Sequence, residues 1–283
     1  MVYQTLLNAP PGSKFHFFSS SGGNAGCATA YAARLYGQKC TVCVPLATPP
    51  AMVERIRRAG ATVVVHGKYI AESDKYVREV LIPNSTEPSV YCHPYDNELV
   101  WEGNATLATE IVNQMKDIKP AAVVCSVGGG GMYNGLVQGF AKADWNDVPI
   151  VAVETEGCAT LNQSLKAGGT QVFFDRPTTI AKSLSTSSVT RETIDYAMKR
   201  PTHSVTVTDA QAAGACIEFA NDHKLLIEAA CGTALAPLYS GMMNDVLPDL
   251  TPESVIVVVV CGGTSVSWEI LEEYSKEYSI PLY

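Results

Sequence analysis

Short apolar runs recur along the chain, each closed by a Gly- or Pro-marked turn and followed by a longer segment with apolar residues at helical spacing. The runs at 16–20, 41–45, 61–66, 90–93, 121–126, 148–154, 203–207 and 255–261 read as strands. The spacing predicts helices over 25–36, 52–59, 101–115, 189–199 and 209–222. Strand followed by helix, repeated, predicts a doubly wound α/β architecture, a parallel sheet covered by helices. The last run, VIVVVVC, carries no polar alternation, which predicts a central strand buried on both faces. No sequence repeat, low-complexity stretch or Gly/Ser linker divides the chain. A fresh strand-turn-helix series sets in near Glu98, so a smaller domain over 1–97 and a larger one over 98–283 are expected.

Composition narrows the chemistry. With 47% hydrophobic and 17% charged residues, 283 residues bury a substantial core. The formal charge of -8, with no Lys/Arg-rich block, argues against nucleic acid and for a small-molecule partner. The apolar runs break long before the ~20 residues of a membrane span. MVYQTLLNAPPGSKF has neither the basic start and apolar block of a signal peptide nor an Arg-rich amphipathic face, so a soluble cytoplasmic protein is expected. Nine cysteines scattered in apolar segments predict reduced, buried thiols. Cys40 and Cys43 form a C-x-x-C within a strand, where residues three apart point to opposite faces, and none of the five histidines stands at ligand spacing from another; zinc is not expected.

Three glycine loops follow strands, at the carboxyl ends where open α/β sheets collect ligands. In CSVGGGGMYNG the strand ends at Ser126, the loop is Gly128, Gly129, Gly130 and Gly131, and a helix begins at Met132. Side chains are absent there, so successive backbone N–H groups can close around an anion beside a helix N-terminus; a phosphate fits. Neither the Walker A nor the G-x-G-x-x-G pattern is met, which disfavours a nucleotide or a nicotinamide-linked dehydrogenase. The competing structural reading is that Gly131, Gly135 and Gly139, spaced at four, permit close helix packing. The second loop, SSSGGNAG, offers Ser20 and Ser21 hydroxyls, Gly22 and Gly23 amides, and the Asn24 amide at a second helix start. That set suits a carboxylate with a phenolic or carbonyl oxygen nearby, although a plain turn with Asn24 as N-cap would have the same sequence. The third, CGGTS, places the Cys261 thiol after the last strand.

Taken in order, SSSGGNAG, SVGGGGMYNG and VVVVCGGTS, supported by VPLATPP, HPYDNELVWEG, VAVETEG and IEAACGTALAPLYS, resemble the fold-type II pyridoxal-phosphate enzymes, most closely the L-serine/L-threonine dehydratase branch, from about Phe15 to the last helix. The resemblance implies a tryptophan synthase β-like fold of two open parallel-sheet α/β domains. It implies that Gly128, Gly129, Gly130 and Gly131 hold the phosphate of pyridoxal 5'-phosphate, that Asn24 bonds its ring hydroxyl, and that Cys261, with Gly262 beside it, faces the pyridine nitrogen. A thiol there leaves that nitrogen largely unprotonated, which suits elimination better than transamination. Ser21, Gly22, Gly23 and Ala25 would cradle the carboxylate of an amino-acid substrate. A monovalent cation such as K⁺ would be held by Glu154 and by backbone oxygens of Gly128, Cys158, Leu184 and Thr186, although Ser185 and Thr186 depart from the family's Leu-Gly-hydrophobe stretch. The implied reaction converts L-serine to pyruvate and ammonia, and L-threonine to 2-oxobutanoate, with a lysine as base. A homodimer is implied, and a racemase or threonine synthase is the nearest alternative chemistry.

The family's Schiff-base lysine stands in P-S-G-S-F-K-x-R-G, well upstream of the Asn loop. PPGSKF, with Lys14, reads as a decoy: its order is S-K-F, no R-G follows, and Lys14 directly precedes a strand. On this reading the catalytic lysine is absent, the chain is a shortened form missing the first strand and helix of the fold, and it is nearly inactive, with exposed apolar surface and poor stability. The alternative is a non-enzymatic relative that binds pyridoxal phosphate or an amino acid.

Overall fold

The computed structural model describes residues 1–116 and 118–282. It divides into two compact units, Met1–Val100 and Trp101–Tyr283. The smaller unit runs α1 (Val2–Leu7), β1 (His16–Ser19), α2 (Asn24–Leu35), β2 (Lys39–Val44), α3 (Pro50–Ala59), β3 (Thr62–Val65), α4 (Ile70–Tyr76) extended by a wider turn over Val77–Leu81, β4 (Ser89–Tyr91) and the start of α5 (Glu98–Met115). The larger unit continues with β5 (Ala122–Ser126), α6 (Gly131–Lys142), β6 (Ile150–Thr155), α7 (Thr160–Lys166), α8 (Arg191–Lys199), β7 (Thr202–Val207), α9 (Asp209–His223), α10 (Ala229–Tyr239), α11 (Met243–Val246), β8 (Ile256–Val258) and α12 (Trp268–Tyr278).

Each unit holds one four-stranded, all-parallel sheet, ordered β3-β2-β1-β4 in the first and β7-β6-β5-β8 in the second. The two orders are the same, a repeat of topology that the sequence does not display. In both, the chain leaves the first strand in one direction for two strands and returns to its other side with the fourth. That reversal is the switch point at which open α/β sheets bind ligands. The loops after β1, β5 and β8 all open at such points, which is how the topology selects the three glycine loops.

Strand alternation distributes the core over both sheet faces. In the larger unit Ala122, Val124, Val151, Val153, Val205 and Val207 pack on one face with α9, α10 and Leu271 of α12. Val123, Cys125, Ile150 and Ala152 pack on the other with Leu136, Phe140 and Ile194. In the smaller unit Phe17, Cys40, Val42 and Val44 share a face with Ile56 and Ala30, while Phe18 and Cys43 share the opposite face with Val77. Cys40 and Cys43 therefore point apart. The described residues contain no group of three or more His, Cys, Asp or Glu side chains placed to hold a metal ion, and no helix long and apolar enough to cross a membrane.

One expectation is corrected. The run ending in Cys261 is not a central strand: among the described residues β8 is an edge, paired with β5 alone and only partly buried. An apolar run shows that a strand is sheltered but not how many neighbours it has; beyond Val259, which is still tied to the Val124 carbonyl, the chain leaves the sheet and Val260 and Cys261 are exposed. Buried on nearly every side instead is α10, whose AACGTALAP stretch has no polar face and fills the space beside α9.

Candidate cofactor site

The tetraglycine turn stands at the carboxyl end of β5 and leads into α6. Gly130 is the N-cap of that helix, in the left-handed region at φ 94°. Where its Cβ would be, the Thr193 hydroxyl stands instead. A Cβ on Gly128 would lie 2.9 Å from Leu184 Cα and 3.3 Å from the Ser183 and Leu184 carbonyl oxygens. The turn is thus clamped between the start of α8 and the turn Lys182–Leu184, and only glycine fits at either position. Gly129 accepts from the Thr190 amide at 3.1 Å and Gly130 from the Asn134 amide at 2.9 Å. Among the described residues, no protein acceptor receives the N–H groups of Gly128, Gly129, Gly130 or Gly131. Four successive donors at the start of a twelve-residue helix form a nest for an anion. The phosphate of pyridoxal phosphate therefore fits this cradle by shape and by charge.

The spacing-at-four reading of the glycines also has a place. A Cβ on Gly135 would meet the Trp101 carbonyl oxygen at 2.8 Å, and one on Gly139 the Ala105 carbonyl oxygen at 2.7 Å. Gly135 and Gly139 let α6 lie against α5, whereas Gly128 and Gly130 serve the turn.

Behind the turn lies a buried polar network that sequence reasoning missed. Asn134 donates to Thr190 Oγ1 at 3.2 Å and accepts from the Thr193 hydroxyl at 2.9 Å; Thr190 and Thr193 are 2.8 Å apart, and Thr190 caps α8. All three are fully or almost fully buried, so every polar atom here must be paired, and the pairing fixes where the turn sits. The signal in the sequence was an Asn among the glycines and apolar residues of the first turns of α6.

Cys261, Gly262 and Gly263 follow β8 on the other side of β5. Gly262 and Gly263 are left-handed, at φ 73° and 92°. Glu228, just before α10, is buried, and one of its oxygens accepts the Thr264 and Ser265 amides at 3.0 Å each. Its own amide donates to the Gly262 carbonyl at 2.8 Å, and the space of a Gly263 Cβ is filled by the Glu228 carboxylate. Glu228 thereby holds the CGGTS turn in one conformation. An acid within the apolar stretch LLIEAACG was the overlooked signal.

The residues expected around a cation are placed as follows. Gly128 and Leu184 are in contact, and Cys158 and Leu184 share one core cluster. The Leu184 carbonyl accepts from the Thr186 amide at 2.7 Å, and the buried Thr186 hydroxyl oxygen has no partner among the described residues. Glu154 is fully buried; its two oxygens accept the Leu161 and Asn162 amides at 2.8 and 2.7 Å, capping α7. Burial pushes its carboxyl up to about 7, against the pull of those amides.

In the smaller unit the SSSGGNAG turn closes β1. The helix α2 begins at Asn24 with Gly23 as N-cap, so Asn24 is a first-turn residue and not the cap that a plain turn would make of it. Ser21 Oγ accepts weakly from the Gly23 amide at 3.3 Å, Gly22 lies against Thr48, and the absence of a Cβ on Gly26 admits the Ser21 carbonyl. Ala25 is the second residue of α2. Ser20 Oγ is 2.7 Å from the Tyr91 hydroxyl, which donates to Asp74, and Asp74 in turn pairs with Arg78 at 2.9 Å. Burial pulls Asp74 upward, but those donors outweigh it and hold the carboxyl below its ordinary value. Lys14 is exposed before β1, its Nζ donating to the Gly37 carbonyl at 3.1 Å. It stands at the amino end of the strand, about 13 Å of β-rise from the turn that carries Asn24.

A family model described as pyridoxal-phosphate dependent enzyme matches residues 1–262. The chain belongs to that family. An L-serine dehydratase of Saccharomyces cerevisiae (strain YJM789) is 36% identical over 278 residues, covering 94% of this chain and 82% of that protein. An L-serine dehydratase/L-threonine deaminase of Bos taurus is 38% identical over 265 residues, covering 93% and 80%. The crystal structure of a fungal L-serine ammonia-lyase from Rhizomucor miehei superposes with a TM-score of 0.88 at 34% identity, over 98% of this chain and 86% of that one. The fold of this pyridoxal-phosphate family member is accordingly the fold-type II arrangement of two parallel-sheet α/β domains.

Proposed function

We propose that this chain carries the cofactor and substrate sites of a lyase that removes water and then ammonia from L-serine, with L-threonine as a second substrate, giving pyruvate or 2-oxobutanoate. The observation that carries the reading is the tetraglycine turn, whose four N–H groups have no protein acceptor among the described residues and which Leu184 and Thr193 hold at the start of α6. Gly128, Gly129, Gly130 and Gly131 hold the cofactor phosphate, and the helix start neutralises part of its charge. Cys261, exposed after β8, faces the pyridine nitrogen with Gly262 beside it, and Glu228 fixes that placement by tying the turn down at Thr264 and Ser265. In the smaller unit, Asn24 takes the ring hydroxyl, while Ser21, Gly22, Gly23 and Ala25 bind the substrate carboxylate through hydroxyl and amide hydrogens. Bound pyridoxal phosphate supplies the electron sink for the pair left on the substrate Cα. A thiol at the ring nitrogen is a weak proton donor, so the sink is moderate and loss of the β-hydroxyl is favoured over reprotonation at the cofactor.

The reading includes a monovalent cation beside Glu154, with the Gly128, Cys158, Leu184 and Thr186 backbone oxygens, and a homodimeric state. It also includes no cofactor-anchoring role for Lys14, which stands at the amino end of β1. Addition of pyridoxal phosphate to the purified chain, with absorbance recorded before and after borohydride and peptides mapped, tests it. Saturable binding with no adduct on Lys14 supports the proposal. Failure to bind pyridoxal phosphate, or saturable binding of NAD in its place, overturns it.

A further inference from the structure

Two thiols of the larger unit that come from distant parts of the sequence meet at one point. Cys231 lies in the first turn of α10 and is fully buried; Cys261 lies after β8 and is exposed. Their side chains are hydrogen-bonded to each other. The Gly262 amide donates to Cys231 Sγ at 3.3 Å, and the Glu228 amide donates to the Gly262 carbonyl at 2.8 Å. With the Glu228 carboxylate on the Thr264 and Ser265 amides, the segments carrying the two sulfurs are fastened together. A pair held this way needs no chain movement to find its partner.

The pair is also differentiated. Cys231 collects the Cys261 S–H and the Gly262 and Cys261 backbone N–H groups, which hold its thiol below the ordinary value, while the same S–H hydrogen bond raises Cys261. Cys216, another thiol on this side of the sheet, lies beneath Gly232 and is pushed up to about 12 by burial, so it is neither accessible nor ionised.

We propose that Cys261 and Cys231 form an oxidisable pair, in which a hydroperoxide attacked by Cys261 leads to a Cys231–Cys261 disulfide. As the Cys261 sulfur attacks the outer peroxide oxygen, its proton passes to the Cys231 thiolate, the O–O bond breaks, and the departing oxygen takes a proton from solvent. The products are Cys261 sulfenic acid and an alcohol, or water from hydrogen peroxide. Cys231 then attacks the Cys261 sulfur, the S–O bond breaks, and the hydroxyl leaves as water with the Cys231 proton. The two thiols lose two electrons in total and the peroxide gains them. This site goes beyond the cofactor reading and belongs to the cofactor-free protein, in which Cys261 is exposed.

Treating the reduced, cofactor-free protein with hydrogen peroxide, blocking the remaining thiols and mapping peptides by mass spectrometry decides the matter. The expected result is a Cys231–Cys261 linked peptide, the loss of two hydrogens from the intact mass, and full reversal by dithiothreitol. In C231S the link is lost and Cys261 is trapped by dimedone as the sulfenic acid, whereas C216S keeps the link. Both thiols remaining alkylatable after peroxide, a Cys231–Cys216 link, or Cys261 passing to sulfinic acid without a link would overturn the proposal. The measurement on the unsubstituted protein stands alone if C231S does not fold.

Discussion

The hydroxyl of Thr193, at the start of α8, occupies the position that a side chain on Gly130 would need. Because Gly130 is also left-handed, at φ 94°, substitution there meets both a steric and a conformational penalty. Gly130→Ala is expected to lose about 2 to 4 kcal/mol of stability and at least about ten-fold in pyridoxal-phosphate affinity, from strain and displacement of the turn together. Adding Thr193→Ala removes the hydroxyl and the methyl but leaves the Cβ of residue 193 at 2.9 Å and the dihedral unchanged, so the double variant recovers only part of each loss. Urea unfolding and a cofactor titration on the three variants check this; full recovery would place the whole cost in the clash.

Glu228 gives a different kind of dependence. Its buried carboxylate is a charged acceptor for two amides of the turn after Cys261, and hydrogen bonds to charged groups contribute about 1.5 to 3 kcal/mol each. Glu228→Ala is expected to destabilise the larger unit by about 2 to 4 kcal/mol and to speed alkylation of Cys261, as the turn loosens. Glu228→Gln keeps one acceptor oxygen and should fall between the two. Unfolding curves and the iodoacetamide rate at Cys261 read out both effects. An unchanged alkylation rate in Glu228→Ala would show that the left-handed glycines hold the turn unaided.

What the sequence discloses, and what it conceals, follows from where each feature's information lies. The tetraglycine turn and the SSSGGNAG turn act through the backbone, and glycine is the local mark of a backbone in special use, so both were legible. The assignment of Gly135 and Gly139 to helix contact, against Gly128 and Gly130 to the turn, was not, since it depends on α5 lying beside α6. Thr190, Thr193 and Asn134 meet across 56 to 59 positions of chain, and nothing local to any of them marks the others. The edge position of β8 escaped for a related reason: hydrophobicity measures shelter, and here part of the shelter comes from helices instead of a second strand. From sequence, the S-K-F order and the place directly before a strand make Lys14 read as a decoy, and the structure puts it at the amino end of β1.

That placement makes Lys14 a direct test of the site's location. Lys14→Met removes only a hydrogen bond from an exposed ammonium to the Gly37 carbonyl. Stability is expected to change by less than about 0.5 kcal/mol, as for ordinary surface substitutions, and the pyridoxal-phosphate titration to stay the same within error. Loss of a borohydride-reducible absorbance band in Lys14→Met would instead make this lysine the cofactor's anchor and move the site away from the carboxyl ends of the strands.

The last expectation concerns pH and separates two roles for Glu154. Burial raises this carboxyl to about 7 in the folded protein, against 4.5 as its ordinary value. Folded protein therefore holds a proton that unfolded chain releases, and the sign follows: stability contributed by Glu154 is greatest below pH 4.5 and declines as pH rises toward 7. A shift of that size corresponds to about 3 kcal/mol in total. Glu154→Gln, which resembles the protonated form and still caps α7 through its carbonyl oxygen, is expected to flatten the decline between pH 4.5 and 7. A bound cation would favour the ionised carboxylate and oppose the same decline. Unfolding free energies measured across this range in potassium chloride and in choline chloride therefore distinguish the roles. Potassium-specific stabilisation at pH 8 that disappears in Glu154→Gln supports a cation at this carboxylate; equal curves in the two salts leave Glu154 as a buried helix cap alone.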